Sequence, residues 1–410
     1  MNRTNIRLGS CCSKIGSGAT PKGGKQVYIE RGTSLIRSQN VYNLSFSSEG
    51  LAHINTEASE KLKSVMVKKS DVLLNITGDS VARICMVPAN ILPARVNQHV
   101  AIIRPDDSIL NASYLMYYLA SPYMQSYLLN RAAGKGASRN AITKEMIEQL
   151  EIPVPPLAEQ RRVAGVLAAY DKLIENNRKQ IKLLEEAAQR LYKEWFIDLR
   201  FPGYETTPID PATGLPEGWK REPFLSEISF IRGKSYTSEE LVDSGARLLI
   251  NLGNIQPFGG YRTGKEKEFS GNANEEQEVK AHDLIMAVTE QAEGLAGYAA
   301  LVPTLTKPAV ISMDLVKLVP IALPVSYVYA SLRFSNLSRS ISSFANGAKI
   351  KHLKPNELSK VRIVLPSSEP TSHFDDITVS LFEEEDRILQ QIAAAQEARD
   401  RLLPKLMAVD

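Results

Sequence analysis

The sequence predicts an α+β protein: two similar mixed α/β domains separated by long helices that form an antiparallel coiled coil. Three observations carry that expectation. One plan of motifs runs through the chain twice, strand-like and helix-like segments alternate inside each copy, and a heptad-spaced apolar stripe follows each copy.

The duplication is the strongest of the three. Gly32-Thr-Ser-Leu-Ile-Arg-Ser-Gln-Asn40 is echoed by Gly245-Ala-Arg-Leu-Leu-Ile-Asn-Leu-Gly-Asn254, and Asp71-Val-Leu-Leu-Asn-Ile-Thr77 by Asp283-Leu-Ile-Met-Ala-Val-Thr289. Val87-Pro88 returns as Val302-Pro303, and Ser113-Tyr-Leu-Met-Tyr-Tyr-Leu119 as Ser326-Tyr-Val-Tyr-Ala-Ser-Leu332. Gly136-Ala137 and Ile152-Pro-Val-Pro-Pro156 match Gly347-Ala348 and Ile363-Val-Leu-Pro366. Order and spacing are both kept, so a whole domain of roughly 150 residues was duplicated, not a short solenoid unit. The expected layout is a first domain over 1–156, a first spacer helix over 157–200, and a Pro/Gly/Thr-rich linker over 201–219. A second domain over 220–366 and a second spacer helix over 367–410 complete it.

Inside each copy, β-branched runs such as Lys69–Ile76 and His99–Arg104 read as strands bounded by Asp, Gly and Pro. One helix is expected over Asn111–Leu129, opened by a capping Asn or Ser. The Gly/Ser/Asn-rich stretches 16–24, 134–140 and 259–264 read as loops. From Val163 the stripe runs Val163, Leu167, Tyr170, Ile174, Asn177, Ile181, Leu184, Ala188, Leu191, Trp195, alternating steps of four and three as a coiled coil requires. Asn177 is its polar member, a choice that fixes register at some cost in stability. A weaker stripe of Leu381, Ile388, Ile392, Ala395, Leu402 and Leu406 is interrupted by Glu385 and Arg399. The simplest arrangement packs the two helices together, antiparallel.

Composition narrows the function class. With 43% hydrophobic and 23% charged residues the chain is an ordinary globular protein. It has no apolar run near the roughly 20 residues of a membrane helix and no signal-peptide core, so a cytoplasmic address is expected. Cys11, Cys12 and Cys85 form no Cys-x-x-Cys pair, and the five histidines show no ligand spacing, so no metal is expected. The net charge of +3 is unevenly spread: residues 1–156 hold 18 basic against 11 acidic side chains, residues 367–410 hold 4 against 10. A basic first domain beside an acidic tail suits a protein that meets phosphate with one face and protein with another, although scattered solvated charge would give the same count.

Catalytic motifs are missing. There is no Gly-rich cofactor loop after a strand and no Asn/Asp-Pro-Pro-aromatic motif. The chain also has no phosphate-binding loop ending in Gly-Lys-Ser/Thr, and no Ser/His/Asp or Cys/His set. Glu278-Val-Lys280 has the form of a nuclease triplet but lacks an upstream Asp at a strand end. No catalytic residue and no cofactor is assigned to this chain.

At Leu150-Glu-Ile-Pro-Val-Pro-Pro-Leu-Ala-Glu-Gln-Arg-Arg-Val163 the sequence resembles the junction of target-recognition domain and helical spacer in type I restriction–modification specificity subunits. Leu215-Pro-Glu-Gly-Trp219 is similar to the phrase that opens a recognition domain there, and Asn97-Gln-His-Val100 also fits. The second copy departs from the pattern, with Pro366-Ser-Ser-Glu-Pro370 where the Glu-Gln phrase would fall. The resemblance implies a non-catalytic DNA-reading subunit for phage defence, one domain per half of a bipartite, asymmetric duplex target. It further implies two methyltransferase subunits using S-adenosylmethionine and, for restriction, two translocase subunits using ATP and Mg. Readings kept open are a type II specificity subunit whose partner chain cuts and methylates, a self-contained nuclease or methyltransferase, and a coiled-coil scaffold without a DNA role.

Candidate DNA-binding residues are chosen for donor and acceptor chemistry on corresponding loops. In the first domain they are Lys22, Lys25, Arg37, Gln39, Asn40, Lys135, Ser138, Arg139 and Asn140. In the second they are Lys234, Tyr236, Asn251, Asn254, Lys349, Lys351 and His352. Each could equally be an ordinary polar loop side chain.

Overall fold

The computed structural model describes residues 4–133, 140–347 and 350–408. It divides into two compact units, residues 1–174 with 394–410, and residues 175–393.

In the first unit a four-stranded sheet runs in the order Cys12–Ser17, Val100–Pro105, Val72–Asn75, Ile84–Met86, all neighbours antiparallel. Behind it lies a five-stranded sheet: Tyr28–Ile29, Ala52–Ile54, Thr33–Ile36, Ala94–Val96, Met66–Val67. Its one parallel pair is Thr33–Ile36 with Ala94–Val96. The strand at 72–75 reads as a continuous apolar run because both its faces are covered. Val72 and Leu74 enter the core under the helices, while Leu73 enters the core between the sheets.

The second unit repeats this order. Ile228–Arg232, Leu315–Pro320, Leu284–Ala287 and Ala299–Leu301 form its first sheet. Lys267–Phe269, Arg247–Ile250, Ala309–Ile311 and Glu278–Val279 form its second, again with one parallel pair, 247–250 with 309–311. The likeness extends to side chains. Buried Asp71 accepts from Lys68 N at 2.7 Å and pairs with Arg104 at 2.7 Å; Asp283 accepts from Lys280 N at 2.9 Å. Tyr114 donates to Pro153 O at 3.1 Å, Tyr327 to Val364 O at 2.8 Å. A Cβ on Gly18 would lie 2.0 Å from Val96 O, and one on Gly233 2.0 Å from Ser312 O, so both copies need glycine where strands cross closely.

The expected helix over 111–129 is two helices, Ala112–Ala120 and Pro122–Ala132. Asn111 caps the first by accepting from Tyr114 N at 3.0 Å. Ser121 precedes Pro122 and adopts an extended backbone, which ends one helix while proline opens the next. Gly16 and Ser17, read as loop, belong to the strand 12–17. The stretch 201–219 is packed, not a free linker: Phe201, Leu215 and Trp219 are buried, with the Phe201 and Trp219 rings 4.9 Å apart.

The first long helix spans Leu157–Tyr192 and closes with a π-turn at Lys193–Ile197; the second spans Ser368–Met407. Within each unit the two run antiparallel. In the first, Arg399 donates to Asp171 at 2.7 Å and Leu403 shares a core with Leu167. In the second, Asn177 donates to Gln391 at 3.1 Å while Ala188 and Tyr192 share a core with Phe374 and Phe382. Leu167, Ile174, Asn177, Ile388 and Ile392 are buried; Tyr170, Ile181 and Leu184 are half-buried. Toward both C-terminal ends the stripe slips by one residue. Tyr192 and Phe196 are buried beside half-buried Leu191 and Trp195, and Leu403 and Met407 beside half-buried Leu402 and Leu406. An α-helix drifts roughly 20° per heptad from a strict seven-residue repeat, and each helix end here packs on a domain as well.

Gln160 explains the Glu-Gln phrase. Fully buried, it donates to Ile109 O and Pro155 O at 3.0 and 2.8 Å and accepts from Asn111 N at 2.7 Å, clasping the helix start to the preceding helix pair. Thr371 stands near the matching place in the second copy and turns its hydroxyl to Ser368 O at 2.9 Å; there the tie to the preceding helix is Ser326 donating to Asp375 at 2.5 Å. Among the described residues no helix is long and apolar enough to cross a membrane.

Candidate nucleic-acid interface

The parallel strand of each copy ends in a tight turn, and two candidates form that turn. Asn40 and Asn254 are fully buried. Asn40 accepts from Arg37 N at 3.0 Å and donates to Ser47 O at 2.9 Å; Asn254 accepts from Asn251 N at 3.0 Å and donates to Arg262 O at 3.1 Å. Their amides hold backbone, which corrects the expectation that they present themselves to DNA. Asn251 is also partly committed, accepting from Gly253 N at 2.8 Å. Arg37 lies 5.6 Å over the Tyr28 ring and donates to Gly50 O, while Gln39 is exposed, 3.4 Å from the same carbonyl.

Lys234 is half-buried 3.8 Å from Glu240, and Tyr236 packs against the Leu249–Phe269–Val310 cluster. Both are half-buried, so part of each side chain contributes to the packing of the second domain. Lys22 is exposed at a cleft of about 530 Å³ lined also by Asn55 and Lys61. Lys25 lies on the turn Gly24–Val27. Lys135, Ser138, Arg139 and Lys349 fall outside the described residues.

Asn140, Lys351 and His352 come together with residues that sequence reasoning did not single out. In the first copy, Thr77 at the end of the strand 72–75 sits 2.6 Å from His99 Nδ1, with Gln98 exposed beside it. Gly78 N donates to Asn140 O at 3.2 Å and Thr77 bridges to Ala141, which brings Asn140 to the same tip. In the second copy, Thr289 donates to Asp314 at 2.7 Å and lies 3.3 Å from His352 Nδ1. Thr289–Glu290 pairs with Lys351–His352 in register, the counterpart of the Thr77–Ala141 bridge. Thr77 and Thr289 were already aligned in the repeat, and Gln98 and His99 lie inside Asn97-Gln-His-Val100, so the signal was present. What it lacked was the knowledge that these segments converge.

The tips differ in electrostatics. Among the described residues the first shows amide and imidazole groups; the second shows Glu290, Lys351 and His352, of which Glu290 and Lys351 line a cleft of about 580 Å³ together with Arg339. Among the described residues no group of three or more His, Cys, Asp or Glu is placed to hold a metal ion.

The two copies thus present one scaffold with unlike polar tips. Residues 5–186 match the model of the type I restriction modification DNA specificity domain. The chain is 25% identical to the type I restriction enzyme MjaIX specificity subunit of Methanocaldococcus jannaschii, over 96% of this chain and 90% of that protein. It is 22% identical to the HindI specificity subunit of Haemophilus influenzae, over 91% of this chain and 93% of that one. The crystal structure of a type I restriction–modification S subunit from M. genitalium shares the fold, with a TM-score of 0.59 at 15% identity over 100% of this chain and 97% of that chain.

Proposed function

We infer that this chain is the DNA-specificity subunit of a type I restriction–modification enzyme, with each domain reading one half of a bipartite target. The observation that carries the reading is one scaffold used twice with different exposed chemistry at the same tip: Gln98, His99 and Asn140 in one copy, Glu290, Lys351 and His352 in the other. Two such modules suit an asymmetric site, because base edges specify while phosphate contacts position. The full-length relatives above are type I specificity subunits, which favours this reading over the type II alternative.

In this reading the chain performs no chemistry. Two methyltransferase subunits dock on it and bring S-adenosylmethionine, and two restriction subunits, where present, bring ATP and Mg. Support comes from the missing catalytic motifs and from the helices and acidic tail, which offer protein-facing surface. Exposed Lys22 and Gln39, with Lys25 on the turn 24–27, join the tips as candidate phosphate or base contacts. Methylome sequencing of the host with and without this gene tests the reading. A two-part methylated motif with a fixed unread gap should vanish with the gene; an unchanged methylome would overturn it.

A further inference from the structure

We propose that base discrimination lies in the side chains that differ around the shared threonine: the first domain reads an A·T pair with Gln98 and Asn140, the second a G·C pair with Lys351 and Glu290. The inference rests on the DNA-reading role above and goes further by assigning positions and bases.

Thr77 and Thr289 occupy the same strand end, and each is held by a neighbour on the adjoining strand, His99 or Asp314. Positions identical in both copies build the scaffold and cannot tell two half-sites apart. Positions that are exposed, polar and different can. The corresponding sites are Gln98 against Met313, Gly78 against Glu290, and Asn140 against Lys351. Gln98, Asn140 and Lys351 are exposed, and Glu290 is half-buried with Ser342 donating to it at 3.1 Å.

The chemistry of each tip selects its base. A carboxamide offers a donor beside an acceptor, the complement of adenine N7 and N6 in the major groove. An ammonium offers donors alone and suits guanine O6 and N7, while a carboxylate accepts from cytosine N4. Glu290 also argues against phosphate contact, since a carboxylate facing the DNA backbone is repelled by it.

The test uses the full chain in complex with the methyltransferase subunit it assembles with, incubated with duplexes randomised over both half-sites, and sequences the bound fraction. The double variant Gln98→Ala, Asn140→Ala should lose preference for one adenine by about 10-fold or more and leave the other half-site intact. Lys351→Ala and, separately, Glu290→Gln should relax one guanine–cytosine pair in the other half-site only. Melting temperatures equal to the parent's show that each variant is folded; Gln98→Glu and Lys351→Gln, which keep side-chain volume, are the second set if either alanine form melts lower. Equal losses on all sequences, or an unchanged motif, would overturn the base assignment. A parent complex that selects no motif would instead overturn the DNA-reading role itself.

Discussion

Asn40 and Asn254 look on paper like Asn140: polar amides in loops at corresponding places. The structure spends the first two on turn backbone and leaves the third exposed. Asparagine bonds equally well to a main chain or a base edge, and the choice is made by burial that distant strands impose, so local sequence cannot separate the two. Arg399 and Glu385, read as breaks in an apolar stripe, differ in the same way. Arg399 bonds Asp171, which also accepts from Tyr117. Glu385 faces Glu185, Arg333 and Asp386, and burial first, then the Glu185 charge, pushes its carboxyl up to about 7 from 4.5. The folded chain therefore keeps a proton that the unfolded chain loses between those two values, and this part of its stability falls as pH rises through that window. Glu385→Gln should leave thermal stability unchanged near pH 4.5 and raise it at pH 8, by at most about 3 kcal/mol. Equal melting shifts at both pH values would show that the charge is relieved in another way.

At the scale of elements, period was legible and punctuation less so. The heptad stripe announced both long helices because each must bury one face along its whole length. The Ser121–Pro122 break was hidden inside an apolar run that stays buried on either side of it. The packing of 201–219 was hidden because three large apolar side chains, Phe201, Leu215 and Trp219, are scattered among turn residues. Under the proposed function the helices also act as a ruler. Inserting one heptad into each at matching levels lengthens each by roughly 10 Å and keeps the seam in phase. The half-sites should then stay the same while the unread gap grows by about three base pairs, read from the methylome of a strain carrying the variant. An active variant with the original gap would show that something else sets the spacing.

For the whole molecule, duplication was the most readable feature, since spacing kept over a domain's length survives even when individual residues diverge. The two sheets of each copy recur in the same strand order, so each copy can be treated as a replaceable module. Exchanging residues 1–150 for those of a relative with a different target should change one half-site and leave the other, as scored by the methylated motif. A change in both halves would mean that the domains read jointly. The division into units has a consequence for synthesis. Residues 175–393 form one uninterrupted stretch, whereas the other unit draws on 1–174 and on 394–410. Translated in order, the second domain can finish folding while the first still waits for Leu403 and Met407 to cover Leu167 and its neighbours. The domain made first is thus closed by a segment made after the second domain, and until that segment emerges its apolar flank around Leu167 stays uncovered.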